Sequence, residues 1–135
     1  MLNDRLNLIL ESVSKVEIVV PIILYKRTFL LGLSTASDYR KDKWCLVSGH
    51  VKSYENPYQA AIRECKEETN LQITCSSTTK IDKKAMIIRC DVVGGIKNLK
   101  HNNEFRAMGF FDKKSIKSIK ITEQTLKNLR DFGIL

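Results

Sequence analysis

The chain has 135 residues, 43% of them hydrophobic and 28% charged, the proportions of a soluble globular domain with enough length for one core. No apolar run approaches the roughly 20 residues that span a bilayer. The N-terminal MLNDRLNLILESV carries charges among its apolar positions, unlike a signal peptide. These features lead us to expect one domain over residues 1–135 and no membrane partner.

The formal net charge is +8 and is unevenly spread: residues 1–79 hold 10 Lys/Arg against 9 Asp/Glu, residues 80–135 hold 13 against 6. A basic half favours anionic partners such as polyphosphates or nucleic acid, although excess surface lysine produces the same balance. Cys45, Cys65, Cys75 and Cys90 form no C-x-x-C pair, and His50 and His101 lie outside zinc-type spacing. The cysteines read as reduced thiols of a cytoplasmic protein, since a chain of this length needs no disulfide staples.

In chain order, Leu6, Ile9, Leu10 and Val13 recur at helical spacing and predict a short amphipathic helix. Val16 to Tyr25 is rich in β-branched residues and predicts a strand, with Pro21 pointing to an edge or a bulge. Lys26-Arg27 is a turn, and Thr28 to Leu33 is its hairpin partner. Ser34 to Lys43 is polar loop, Trp44 to Val47 a short strand, and Gly49 to Tyr54 loop again. Asn56-Pro57 opens a helix, because Asn can cap it and Pro at the first position gives up no needed N–H. Tyr58, Ala61, Ile62 and Cys65 supply its apolar stripe, and Asn70 sits where a left-handed residue closes it. Leu71 to Cys75, Ala85 to Val93 and Phe105 to Phe111 predict strands around a Gly94-Gly95 turn. Thr122 begins a last helix that turns Leu126, Leu129 and Phe132 to the core. Strands, helix, strands, helix make an α/β (α+β) domain with a mixed sheet.

The chemistry concentrates in GHVKSYENPYQAAIRECKEETNL, residues 49–71. Glu64, Glu67 and Glu68 share one helix face at spacings of three and four, where like charges repel by a few tenths of a kcal/mol per pair. Two of them also lie in the last turn, against the helix dipole. A surface helix gains nothing from this; a divalent cation such as Mg²⁺ or Mn²⁺ reverses the sign of the interaction. Arg63 can pair with Glu67 at i+4. Glu55 is within reach of the helix start and can orient that arginine.

The spacing resembles the signature of the Nudix hydrolase family, G-x5-E-x7-R-E-U-x-E-E-x-G-U, where U is a bulky apolar residue. Gly49, Glu55, Arg63, Glu64, Glu67 and Glu68 fall in register, and Leu71 fills the last apolar position. Cys65 stands at the other apolar position and Asn70 at the second glycine. Val47-Ser48-Gly49 stands where the family often has Pro-Gly-Gly. The resemblance implies a Nudix-type α/β/α sandwich and a catalytic loop–helix–loop. It implies Mg²⁺ held by Glu64, Glu67 and Glu68, with the Ser48 carbonyl as a further ligand. It also implies a close loop approach at Gly49 and orientation of the carboxylates by Arg63. The general base by resemblance is Glu64 or a late-loop glutamate, for which Glu104 in NNEFRAMGFFD is the candidate, also as a ligand.

The implied reaction is hydrolysis of a phosphoanhydride in a nucleoside or pterin polyphosphate. V-S-G and EFRAMGFFD resemble dihydroneopterin triphosphate and nucleoside triphosphate pyrophosphatases, and G-H-V resembles diadenosine tetraphosphate hydrolases. The chain shows no extended N-terminal domain of the kind found in dimeric ADP-ribose pyrophosphatases. Tyr25, Phe29, Tyr39 and Trp44 could stack on a base, and His50 could meet a phosphate. Two other readings stay open: an RNA 5′-end pyrophosphohydrolase, favoured by the basic second half, and a Nudix module that senses nucleotide without cutting it. The protein could be a monomer or a homodimer.

Overall fold

The computed structural model describes residues 15–135; the N-terminal helix expected around Leu6 to Val13 lies outside them. The elements run β1 (Ile18–Tyr25), β2 (Thr28–Ser34), β3 (Trp44–Cys45), β4 (Gly49–His50), α1 (Pro57–Thr69), β5 (Gln72–Asp82), β6 (Ala85–Gly94), β7 (Phe105–Phe111) and α2 (Glu123–Asp131). Short 3-10 turns occupy Ile96–Asn98 and Ser115–Ser118.

The sheet is mixed. Its strands run β3-β2-β1-β6-β5, with β7 on β2 and β4 on β1. β1 and β6 are parallel over Ile18–Leu24 and Ala85–Asp91, and the remaining pairs are antiparallel. Alternation along the strands buries both faces. Val19, Ile23, Leu30, Met86, Ile88 and Cys90 face one cluster with Ala60, Ala61 and Cys65 of α1. Ile22, Phe29, Leu31 and Ile87 face the other with Leu129 of α2. A helix on each side of the sheet makes an α/β/α sandwich.

β1 and β2 pair only beside their turn, at Leu24↔Phe29 and Tyr25↔Thr28. Lys26 and Arg27 both have positive φ, 46° and 64°, the type I′ geometry that matches strand twist. Away from the turn the two strands part. β1 pairs instead with β4 at Ile18↔His50 and Val19↔Gly49, and β2 with β3 at Gly32↔Cys45 and Leu33↔Trp44. Leu46, Val47 and Ser48 link β3 to β4 across the split. Pro21, expected at an edge or a bulge, sits in an interior strand. It falls between the segments of β1 that pair with β4 and with β2, where a missing N–H costs no ladder bond.

Four other expectations change. The strand after α1 runs on to Asp82, because β6 offers it a partner as far as Ala85. The expected Gly49–Tyr54 loop begins as strand, drawn in by β1. On α1 the buried face is Pro57, Ala60, Ala61, Cys65, Glu68 and Thr69, whereas Tyr58 and Ile62 are exposed. Small residues let the helix approach the sheet closely, and the face is set by fit rather than by side-chain hydrophobicity alone. That rotation carries Glu68 inward. On α2, likewise, Thr125 and Asn128 are buried beside Leu129, and Leu126 is only half-buried.

Candidate active site

The local sequence builds α1 from both ends. Asn56 Oδ1 accepts from the N–H of Gln59 at 2.9 Å, and Gln59 Oε1 accepts from the N–H of Asn56 at 2.9 Å, a reciprocal capping box with Pro57 at the first helical position. Asn70 closes the helix with φ 66°, its N–H donating to the Lys66 carbonyl. The left-handed position that glycine usually takes is thus filled by Asn, and its Nδ2 donates to the Asn98 carbonyl at 3.1 Å.

Arg63 is the hub between the helix and the loop before it, its side chain 19% exposed. Its Nε and Nη2 donate to Glu55, at 3.1 Å to Oε2 and 2.6 Å to Oε1. Its Nη1 donates to Glu64 at 2.9 Å and to Glu67 at 3.2 Å, and its Nη2 also reaches the His50 carbonyl at 2.9 Å. The hydrogen bonds from Arg63 hold the Glu55 carboxyl below the usual carboxylate range. In return Glu55, and then Glu64, push the guanidinium's affinity for its proton further up. Glu55 also accepts from the Lys52 N–H at 2.9 Å, which closes the loop onto the helix.

The three helix carboxylates have different environments. Glu67 is half exposed, and Glu64 is mostly covered. Glu68 is 4% exposed, and its Oε2 is buried with no hydrogen-bond partner. Burial, then repulsion from Glu104 and Glu64, pushes the Glu68 carboxyl up to about 9. Gly49 is pressed against this group: a β-carbon there would fall 2.2 Å from Glu64 Cδ.

These residues open on a cavity of about 460 Å³ lined by Ser48, Gly49, His50, Glu64, Glu68 and Glu104. Ser34, Thr35, Ala36 and Arg40, from the end of β2 and the loop after it, line the same cavity. The cavity sits where β1 and β2 part. Glu104 precedes β7; its carbonyl accepts from the Thr35 N–H at 3.0 Å and its N–H donates to Asn102 Oδ1 at 2.9 Å. Glu67 and Glu55 lie beside the cavity through Arg63. Tyr39 is 69% exposed and outside the lining, and Trp44 packs edge-on to Phe111 at 4.8 Å in the cluster beneath α2. Ser34, Thr35, Ala36 and Arg40 escape a sequence reading, because STASDYRKDK has neither periodicity nor a motif. Only the fold brings that loop to the carboxylates.

A divalent cation fits this donor set. The unpartnered buried oxygen of Glu68 beside Glu64 and Glu104 is a hard oxygen donor, and its carboxyl holds its proton for want of a counter-charge that a divalent cation would supply. Among the described residues, no three acidic, histidine or cysteine side chains converge on one point at ligand distance. Carboxylates without a cation repel one another, and here Arg63 holds Glu64 and Glu67.

The comparisons with known proteins agree with this geometry. Residues 15–132 match the family model of the NUDIX domain. A NUDIX hydrolase from Nitrosomonas europaea superposes with TM-score 0.72 at 20% identity, over 85% of this chain and 68% of that one. A C. elegans Ap4A hydrolase superposes with TM-score 0.67 at 22% identity, over 87% and 96%. An ADP-ribose pyrophosphatase from Streptococcus suis gives 0.62 at 18%, over 86% and 90%. No curated protein matches the chain. With its loop–helix–loop in register and the family model matched over residues 15–132, the chain belongs to the Nudix family.

Proposed function

We propose that this protein hydrolyses a phosphoanhydride in a nucleoside or pterin polyphosphate, with Mg²⁺ or Mn²⁺ bound by Glu64, Glu67 and Glu68. The Ser48 carbonyl and Glu104 complete the set. One observation carries this reading: the buried, unpartnered Oε2 of Glu68 at a cleft shared with Glu64 and Glu104. When bound, the metal neutralises phosphate charge and lowers the pKa of the attacking water.

The chain's own residues do the positioning. Glu55 fixes Arg63, and Arg63 in turn fixes Glu64 and Glu67, so the carboxylates are held before substrate arrives. Gly49 lets the loop lie against Glu64. Glu104 is the general base in this reading, because Arg63 holds Glu64, whereas no arginine or lysine among the described residues pairs with Glu104. His50 lines the cleft and is exposed, so that a phosphate can reach it. Four unpaired cysteines fit a reducing cytoplasm.

The test is a metal-dependent hydrolysis panel with products identified by mass, run beside Glu67→Gln. Nucleoside triphosphates, dihydroneopterin triphosphate, diadenosine polyphosphates and ADP-ribose are the substrates. Cleavage of one class that depends on Glu67 supports the reading; metal binding without cleavage of any of them counts against it and favours a sensing module.

A second reading, an RNA 5′-end pyrophosphohydrolase, rests on a basic surface. Lys26 and Arg27 line one groove with Lys113 and Lys114, at the end of β1 away from the cleft. Triphosphorylated RNA in the same panel separates the two: a steep salt dependence of its turnover supports RNA, and salt-insensitive cleavage of free nucleotides opposes it.

A further inference from the structure

We propose that Arg40 is the residue that grips the phosphate chain of the substrate, so that the enzyme discriminates by number of phosphates. This rests on the polyphosphate reading above and deepens it. Among the residues that line the cleft, Arg40 is the one permanently charged cation; the other charged residues of the lining are Glu64, Glu68 and Glu104. A polyphosphate brings more negative charge into that cleft than a metal at the carboxylates alone can meet, so part of the phosphate chain needs a cation of its own. Arg40 lines the same cleft from the loop between β2 and β3.

Arg40 is preorganised. Its Nε donates to Asp38 Oδ1 at 3.1 Å and its Nη2 to Asp38 Oδ2 at 2.9 Å, while its own N–H donates to Asp38 Oδ1 at 2.9 Å. A local turn, with the Lys41 N–H on the Asp38 carbonyl, holds both residues.

The pair is 42% and 46% exposed. An exposed ion pair of this kind contributes little to stability. A phosphate carrying more charge can take over one or both guanidinium hydrogen bonds in the same fork geometry. Asp38 thus acts as a placeholder that aims the guanidinium when no substrate is bound.

The experiment compares Arg40→Gln, Arg40→Lys and Arg106→Gln with the native enzyme. Arg106 pairs with Asp42 of the same loop at 2.8 Å, outside the cleft. Steady-state kinetics on ATP and ADP are measured with Mg²⁺. Calorimetric binding of the non-hydrolysable α,β-imido analogue of ATP is measured alongside, with Ca²⁺ as the metal.

Arg40→Gln is expected to raise KM for ATP by about tenfold or more with kcat nearly unchanged, and to weaken the analogue equally. ADP should suffer distinctly less, Arg40→Lys should recover part of the loss, and Arg106→Gln should match the native enzyme. An unchanged KM, an equal penalty on ATP and ADP, or an equal effect of Arg106→Gln overturns the assignment. If the native enzyme cleaves neither nucleotide yet binds the analogue through Arg40, the grip stands and the hydrolytic reading fails for these substrates. If the analogue does not bind and neither nucleotide is cleaved, both fail.

Discussion

Gly49 and Glu64 are in contact across the mouth of the cleft, with no room between them for a methyl group: a β-carbon at position 49 would meet Glu64 Cδ at 2.2 Å and Cγ at 2.4 Å. The short β4 strand brings Gly49 there by pairing it with Val19, and Arg63 holds Glu64 in place from the other side. The Glu64 side chain is the part that can move, against its bond to Arg63. Gly49→Ala should therefore displace Glu64 and lower kcat by about a hundredfold, as loss of ligand orientation does. Circular dichroism should stay near native. A variant with native turnover would show that Glu64 is free to move without consequence.

Glu67→Gln and Glu68→Gln should each leave less than about 1% of native turnover, with far-UV spectra unchanged. Near-normal activity in either variant would remove that residue from the metal set.

Glu68 also predicts a pH dependence of stability in metal-free protein. Its carboxyl is raised to about 9, above its value in an unfolded chain. Between the two values the folded state binds the extra proton. The stabilisation is complete below the unfolded value and is lost as pH rises through about 9. With chelator present, the melting temperature should fall from pH 5 to pH 9, and Glu68→Gln, which carries no charge to desolvate, should flatten that fall. A parallel decline in both proteins would locate the titrating group elsewhere.

Glu104→Gln should slow turnover at least about tenfold at saturating metal and substrate, the lower range of a lost general base. The loop should stay in place, because Glu104 is tied to Thr35 by its backbone and not by its carboxylate. An unchanged kcat would return Glu104 to an ordinary surface residue.

All four cysteines are free, and their reactivities should differ. Cys75 is half-buried, and a hydrogen bond from the Cys90 thiol, 3.8 Å away, lowers its pKa. Burial raises Cys45 and Cys65, and Cys90 is raised by Cys75 and by burial. A thiol reagent should label Cys75 first in the native protein, and all four only after unfolding. Finding no titratable thiol in unfolded, unreduced protein would contradict the free state.

Asn70 holds a left-handed backbone, φ 66°. Asn70→Ala should destabilise by about 1 kcal/mol, and Asn70→Gly by less, since glycine keeps the conformation and loses only the hydrogen bond to Asn98. Thermal melts decide; equal losses in both variants would mean that the side-chain bond outweighs the backbone term.

The catalytic segment was legible in the sequence because its information is local. The Asn56 cap, the Pro57 start, the Asn70 stop and the spacing of Arg63 with four glutamates all act within one helix and the loop before it, where covalent spacing sets geometry. β1, β2, β6 and β7 could be read from their apolar runs for the same reason. What only tertiary structure decided depends on partners distant in the chain. The interior place of Pro21 follows from the parting of β1 and β2. The inward turn of Glu68 follows from which face of α1 fits the sheet, and Ala60 outranks the larger Tyr58 and Ile62 there because closeness, not hydrophobicity, selects it. Thr35 meets Glu104, and Arg40 comes to line the same cleft, only because β7 lies along β2, a pairing between segments some seventy residues apart that no local pattern encodes.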